Sequence, residues 1–351
     1  MAEKIIGSFH VRRLEILDEK GDADAALMPS LSEAYIRRMY ELLVLTRTFD
    51  RVALNLQREG RLGTYASVLG QEASQIGSAF AIDATDWIFP SFREMGVYIT
   101  MGYPMHMLFQ YWGGDERGIH TPENLNIFPV CIPVGTQIPH AVGVAMAAKY
   151  RRDKRAVVAY FGDGGTSKGD FHEGLNIAGV FKLPVVFICQ NNQWAISVPR
   201  RRQTAAETLA QKAYAYGFEG IQVDGNDIFA VYKATADALK KAKEGGGPTF
   251  IECVTYRMSD HTTADDASRY RTKEEVEEWK QKDPLLRLKL FMEKNRLWTE
   301  QYQKDIEEEA KAAVSHSVQL AEAAEPPKPE DMFSYTGETL TARQKKQIEE
   351  L

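Results

Sequence analysis

The clearest chemistry in this 351-residue chain lies in an acid held between glycines, Gly162-Asp163-Gly164, and in a pair of amides further on, Asn191-Asn192. The Asp163 carboxylate, the Asn192 amide oxygen and a nearby backbone carbonyl form a partial set of hard oxygen ligands. Mg²⁺ often takes few protein ligands and completes its shell with water and phosphate oxygens. The pattern therefore asks for a cation that arrives with a diphosphate. Gly162, Gly164 and Gly165 let the backbone turn sharply and approach such a ligand closely. A lone Gly-Asp-Gly is more often a structural turn, and the amide pair is what raises this one above that reading. A dinucleotide fingerprint would place a glycine where Ser167 stands, and no Gly-Lys-Ser/Thr of a P-loop occurs.

Regular elements must bring these residues together. Ala156 to Phe161 is a short apolar run ending in turn residues, which predicts a buried parallel strand. From Lys168 the apolar positions Phe171, Leu175, Ala178 and Val180 recur at helical spacing until Lys182-Leu183-Pro184 breaks them. Val185 to Cys189 is a second buried strand. The Gly164-to-Asn191 interval is about one strand–helix–strand crossover long, so the strands run parallel and both loops emerge at their carboxyl ends. Ser32 caps a helix that runs toward Gly60, and residues 71–81 form a second helix of small residues. Residues 139–150 read as a buried helix. Short strands at 221–223 and 250–255 flank a helix at 229–243.

Other residues suit the same ligand. Arg93 follows an aromatic, Phe92, and an arginine fork matches a pair of phosphate oxygens. His261 lies in a polar stretch without apolar period, hence in a loop, where functional residues concentrate.

Taken together, these features resemble the thiamine-diphosphate enzymes, in which Gly-Asp-Gly is followed by about 25–30 residues and a terminal Asn-Asn. More narrowly, the chain is similar to the alpha subunit of the decarboxylating dehydrogenase of 2-oxo acid dehydrogenase complexes. The likeness is carried by Phe89-Pro90-Ser91-Phe92-Arg93-Glu94, Val134-Gly135-Thr136-Gln137-Ile138-Pro139, residues 162–174, residues 190–197, Gln222-Val223-Asp224-Gly225-Asn226-Asp227 and residues 256–271. It spans residues 30–330.

The resemblance implies an α/β thiamine-diphosphate-binding fold, with a central, mostly parallel sheet flanked by helices on both faces. It implies Mg²⁺ on Asp163, Asn192 and the main-chain carbonyl of Trp194. The cofactor would be contacted by Phe92, Arg93, Ile132, Val134, Gly164, Gly165, Gln190 and His261. The usual aromatic before the arginine is tyrosine, so Phe92 lacks one hydroxyl. Thr136 and Gln137 resemble a potassium-binding corner of some relatives. His261 would face the active centre, with Arg257 anchoring its loop, and Thr262 falls where some relatives carry a regulatory phosphoserine. Relatives carry a second active-site histidine; ungapped alignment places Arg117 there, and His120 would serve only with a shifted loop.

The implied activity is oxidative decarboxylation of a 2-oxo acid, with acyl transfer to the lipoyl group of the acyltransferase component. Pyruvate is favoured by the sequence around residues 162–171 and 203–213. A branched-chain 2-oxo acid or acetoin is the alternative within the class. A nucleotide-binding protein or a catalytically inactive assembly subunit is the alternative outside it. One Gly-Asp-Gly…Asn-Asn module provides half a site. The resemblance therefore implies a beta subunit carrying the aminopyrimidine glutamate, in an α₂β₂ assembly that also meets the lipoyl domain and core of the acyltransferase.

Bulk properties agree. A hydrophobic content of 44% and a charged content of 26% are ordinary for a globular protein. The net charge of −6 argues against general nucleic-acid binding. Cys131, Cys189 and Cys253 read as reduced core residues without zinc spacing. The start carries Glu3 and no long apolar run, so no signal, transit peptide or membrane span is expected, and the expected location is cytoplasmic. The chain divides into an arm over residues 1–29, the cofactor domain over 30–271, and a helical extension over 272–351 with a proline-rich break near 326–329.

Overall fold

The computed structural model describes residues 3–333 and 336–350. Six strands form the central sheet: β1 (Arg12–Leu14), β2 (Trp87–Phe89), β3 (Val157–Gly162), β4 (Val185–Asn191), β5 (Gly220–Asp224) and β6 (Thr249–Val254). Their spatial order is β1-β5-β6-β4-β3-β2, and every neighbouring pair is parallel. A separate antiparallel hairpin pairs Trp194–Ala195 with Val198–Pro199 just beyond β4.

Alternation along the strands explains why the sheet is covered on both sides. Val158, Tyr160, Val186, Ile188 and Ile251 join one apolar core, while Val157, Ala159, Phe161, Val185, Phe187 and Phe250 join another. Successive side chains point to opposite faces, so a strand in which every residue is apolar needs helices above and below. The first core is closed by helices α1 (Glu33–Arg58), α2 (Glu72–Ala79), α5 (Ile228–Lys243), α6 (Pro284–Lys294) and α7 (Glu300–Glu322). The second is closed by α3 (Gln137–Arg151) and α4 (Gly169–Val180).

The helix limits follow from local chemistry. Ser32 caps α1 through Tyr35 N–H, and Gly60, at φ +75°, ends the turn that follows it. Asp227 caps α5 with one carboxylate oxygen and takes the backbone N–H groups of Ile16 and Leu17 with the other, at 2.6 and 2.7 Å.

Four sequence readings change in detail. The arm over residues 1–29 supplies the edge strand β1. Helix α3 is buried on one face only, with Met146 and Tyr150 exposed, and Cys131 is half-buried instead of lying in the core. The helices after residue 272 are not merely peripheral: Leu288, Met292 and Val314 are fully buried in the first core. No helix among the described residues is long and apolar enough to cross a membrane.

Candidate active site

The pairing of Gly162 with Gln190 brings the ends of β3 and β4 into register, so Asp163 and the Asn191-Asn192 pair leave the sheet side by side at its carboxyl edge. Residues Asp163–Ser167 form a tight 3₁₀ turn that leads into α4. Asp163 is 1% exposed, and its Oδ2 accepts a hydrogen bond from Gln203 Nε2 at 2.6 Å. Burial pushes its carboxyl up to about 6, against the Gln203 bond, the field of Arg257 and the Asn192 backbone amide. A Cβ on Gly164 would lie 2.8 Å from Ala195 Cβ, so the hairpin packs directly on this turn.

Asn192 is held at both ends of its amide. Its Oδ1 accepts from Trp194 N–H at 3.2 Å, and its Nδ2 donates to Gln71 Oε1 at 2.9 Å. Its neighbour Asn191 turns the other way, donating to buried Glu252 at 2.7 Å. Gln190 lies beneath them, donating to Glu94 Oε1 at 2.7 Å and accepting from Gln75 Nε2 at 2.9 Å. Burial pushes the Glu94 carboxyl up to about 7, although it also accepts the Arg93 backbone N–H at 3.0 Å.

A cationic wall faces this edge. Arg93 donates to Ser67 O at 2.6 Å and to His261 O at 2.7 Å, and its guanidinium lies 5.4 Å from the Phe92 ring centroid. Arg257, fully buried, donates to Ile196 O and to Tyr270 Oη, both at 2.8 Å. Both guanidinium groups approach His261 Nδ1 at 3.2 Å. Burial, and secondarily the charge of Arg257, lowers Arg93 to about 10, so it stays charged at neutral pH. Burial also lowers Arg257. His261 is pushed down to about 4 by burial first and the two arginines next. The Phe92 ring meets the His261 ring edge-on at 6.0 Å.

The other expected positions divide. Ile132 and Val134 are 50% and 39% exposed, apolar side chains outside both cores. Thr136 precedes α3, and Gln137 donates to Tyr160 O at 2.7 Å while its Oε1 is buried without a partner among the described residues. Arg117 turns away from this edge, forked onto Asp115 and reaching Glu325 O. His120 is exposed at the end of a short 3₁₀ turn.

Sequence reasoning missed the segment that holds the site. Over residues 65–75, Ser67 O fixes Arg93, Gly70 O accepts from Thr255, Gln71 meets Asn192, and Gln75 joins Gln190 to Arg93 O. A signal was present: Gln71, Ser74, Gln75 and Ser78 recur at helical spacing among small apolar residues, and all four are buried. Polar residues on the inner face of a helix require buried partners.

The buried, unneutralised carboxylate, the fixed amide oxygen and the two buried arginines fit a divalent cation with a diphosphate. Residues 40–330 match the family model described as the dehydrogenase E1 component. The chain belongs to the dehydrogenase E1 component family. It is 44% identical over 322 residues to a pyruvate dehydrogenase E1 component subunit alpha of Bacillus cereus, covering 91% of this chain and 87% of that protein. The Bacillus subtilis protein of the same description is 42% identical over 337 residues, 95% of this chain and 91% of its own length. A 3-methyl-2-oxobutanoate dehydrogenase subunit alpha of Mycobacterium tuberculosis is 47% identical over 281 residues, 80% of this chain and 77% of its own. The matched span takes in all of α6 and all of α7, the two C-terminal helices that help close the first core.

Proposed function

We propose that this E1 chain is the alpha subunit of a 2-oxo acid dehydrogenase and supplies the diphosphate and cation half of a thiamine-diphosphate site. The observation that carries the reading is the convergence, at one sheet edge, of buried Asp163 and Asn192 with the buried guanidinium groups of Arg93 and Arg257. Asp163, Asn192 and the Trp194 carbonyl would hold Mg²⁺. Arg93 and His261 would meet the diphosphate, with Gly164 and Gly165 close beside it, and Ile132, Val134 and Phe92 would supply apolar contact. When bound, the thiamine ring supplies the electron sink for decarboxylation. This chain's residues bind and orient it, and His261 presents a neutral imidazole at the mouth.

The partnerless Gln137 Oε1, with Thr136 beside it, supports a K⁺ position there. The remaining parts of the reading are a beta subunit in an α₂β₂ assembly, carrying the aminopyrimidine glutamate, and a lipoyl domain as acyl acceptor. His120 is retained as a candidate second histidine at the mouth. Pyruvate is the proposed substrate, since the Bacillus relatives cover more of the chain; the M. tuberculosis relative supports a branched-chain 2-oxo acid as the second reading. The test is kcat/KM for pyruvate against 3-methyl-2-oxobutanoate, with the beta partner and Mg·thiamine diphosphate present. A clear preference for pyruvate is expected. Preference for the branched acid selects the second reading, and turnover of neither, in a preparation that does not bind the cofactor, overturns the function.

A further inference from the structure

Gln71 stands at the start of α2 in a position from which it cannot move. Gly70 before it has φ +93°, and a Cβ there would lie 2.4 Å from Tyr256 O. Gln71 N–H is bonded to Val68 O at 2.9 Å, and the residue is 1% exposed. Its side chain meets Asn192 and nothing else polar among the described residues, and its Nε2 is buried without a partner.

The direction of every amide in this row is decided by the backbone. Trp194 N–H can only donate, so the Asn192 atom 3.2 Å away is the oxygen. Asn192 Nδ2 therefore faces Gln71, and the Gln71 atom 2.9 Å away is its oxygen. Turning Gln71 over would set two NH₂ groups against each other. An unpaired buried donor is costly and uncommon, and a glutamate would satisfy Asn192 without one. A glutamine kept here, with its oxygen committed and its nitrogen left over, is explained by what the oxygen does.

We infer that Gln71 is a positioning residue of the cation site: Trp194 N–H fixes which end of the Asn192 amide is oxygen, and Gln71 clamps the other end through Nδ2, so that Oδ1 is held in place for the metal. The inference rests on the proposed function, in which Asn192 is a cation ligand. Partners that orient metal ligands are typically worth about 10–100-fold in affinity. Gln71→Met keeps the length and removes the acceptor, leaving Asn192 Nδ2 without a partner and the amide held only through Oδ1. Gln71→Glu keeps an acceptor and has no surplus donor.

The experiment is a calorimetric titration of Mg²⁺ into the assembly with its beta partner, at saturating thiamine diphosphate, beside the melting temperature without ligand. Gln71→Met is expected to weaken Mg²⁺ binding by about 10- to 100-fold with a ligand-free melting temperature near wild type. Gln71→Glu is expected to bind Mg²⁺ at least as well as wild type. Wild-type affinity in Gln71→Met overturns the inference, as does an equal loss in Gln71→Glu. If Gln71→Met does not fold, Gln71→Glu decides alone: near-wild-type affinity supports the inference and a tenfold loss overturns it. A wild-type assembly that binds no Mg²⁺ with thiamine diphosphate is the separate failure of the functional reading.

Discussion

One guanidinium nitrogen of Arg93 sits 2.7 Å from the main-chain oxygen of His261 and 3.2 Å from its Nδ1. Arg257 brings another N–H to the same Nδ1. Guanidinium groups only donate, so Nδ1 accepts and the ring proton resides on Nε2. The arginines that suit a diphosphate thus also set the tautomer of the loop histidine, and burial first, with their charge second, keeps it neutral.

The pH consequence can be measured. The folded value of about 4 lies below the ordinary 6.5. A depressed value means that the unfolded chain binds the proton more readily. The stabilising contribution is then present above pH 6.5 and is lost as pH falls toward 4. Nitrogen NMR of histidine-labelled protein should find His261 as the Nε2–H tautomer at pH 7, with no titration until below about pH 5. His261→Asn should flatten the acid side of the melting-temperature profile. A midpoint near 6.5 would refute the arrangement.

Arg93→Lys separates charge from shape. Lysine has one compact donor group and cannot span both Ser67 O and His261 O while facing a ligand. Calorimetry should find thiamine-diphosphate affinity reduced by roughly 10- to 100-fold, the scale of one charge-assisted hydrogen bond. Unchanged affinity would mean that charge alone suffices.

Asp163→Asn should divide stability from binding. The folded carboxyl titrates near 6 against an ordinary 3.8 because burial penalises its charge. For a raised acid, the stabilisation from holding the proton is complete below 3.8 and lost as pH rises through 6. At pH 8 the ligand-free Asn variant should therefore melt no lower than wild type, while Mg²⁺ no longer raises its melting temperature. A variant that melts lower and still responds to Mg²⁺ would contradict both halves.

What was legible in the sequence followed periodicity. The strands β3 to β6 are short apolar runs between turn residues, and the helices between them show their spacing openly, so Asp163 and Asn192 could be paired across a crossover. β1 and β2 have three residues each, too few for alternation to register. The cation ligands were readable because glycine turns and amide pairs are uncommon at strand ends. Gln71, Gln75, Glu94 and Gln203 were not, since their meaning lies in which partner each meets across 18 or more residues of chain. A polar side chain announces that it needs a partner and does not say where the fold will put one.

Asp50 gives the most severe test of how far support for the site extends. It lies in α1, is 2% exposed, and accepts from Ser67 Oγ at 2.6 Å, Tyr65 Oη at 2.8 Å and Val68 N–H at 2.8 Å. Those three donors define the loop whose Ser67 carbonyl holds Arg93 and whose Tyr65 backbone pairs with Thr263 in the His261 loop. Asp50→Ala removes the acceptor from all three; Ser67 Oγ keeps Ser259 Oγ at 3.0 Å, while Tyr65 Oη and Val68 N–H are stranded at about 1–3 kcal/mol each, partly relieved by removing a buried charge. The net expectation is a loss of about 2–4 kcal/mol, read from denaturant unfolding. At temperatures where the variant stays folded, thiamine-diphosphate affinity should fall as well, although Asp50 reaches no ligand, because Arg93 loses its anchor through Ser67. Full affinity in folded Asp50→Ala would mean that Arg93 is positioned by His261 O alone.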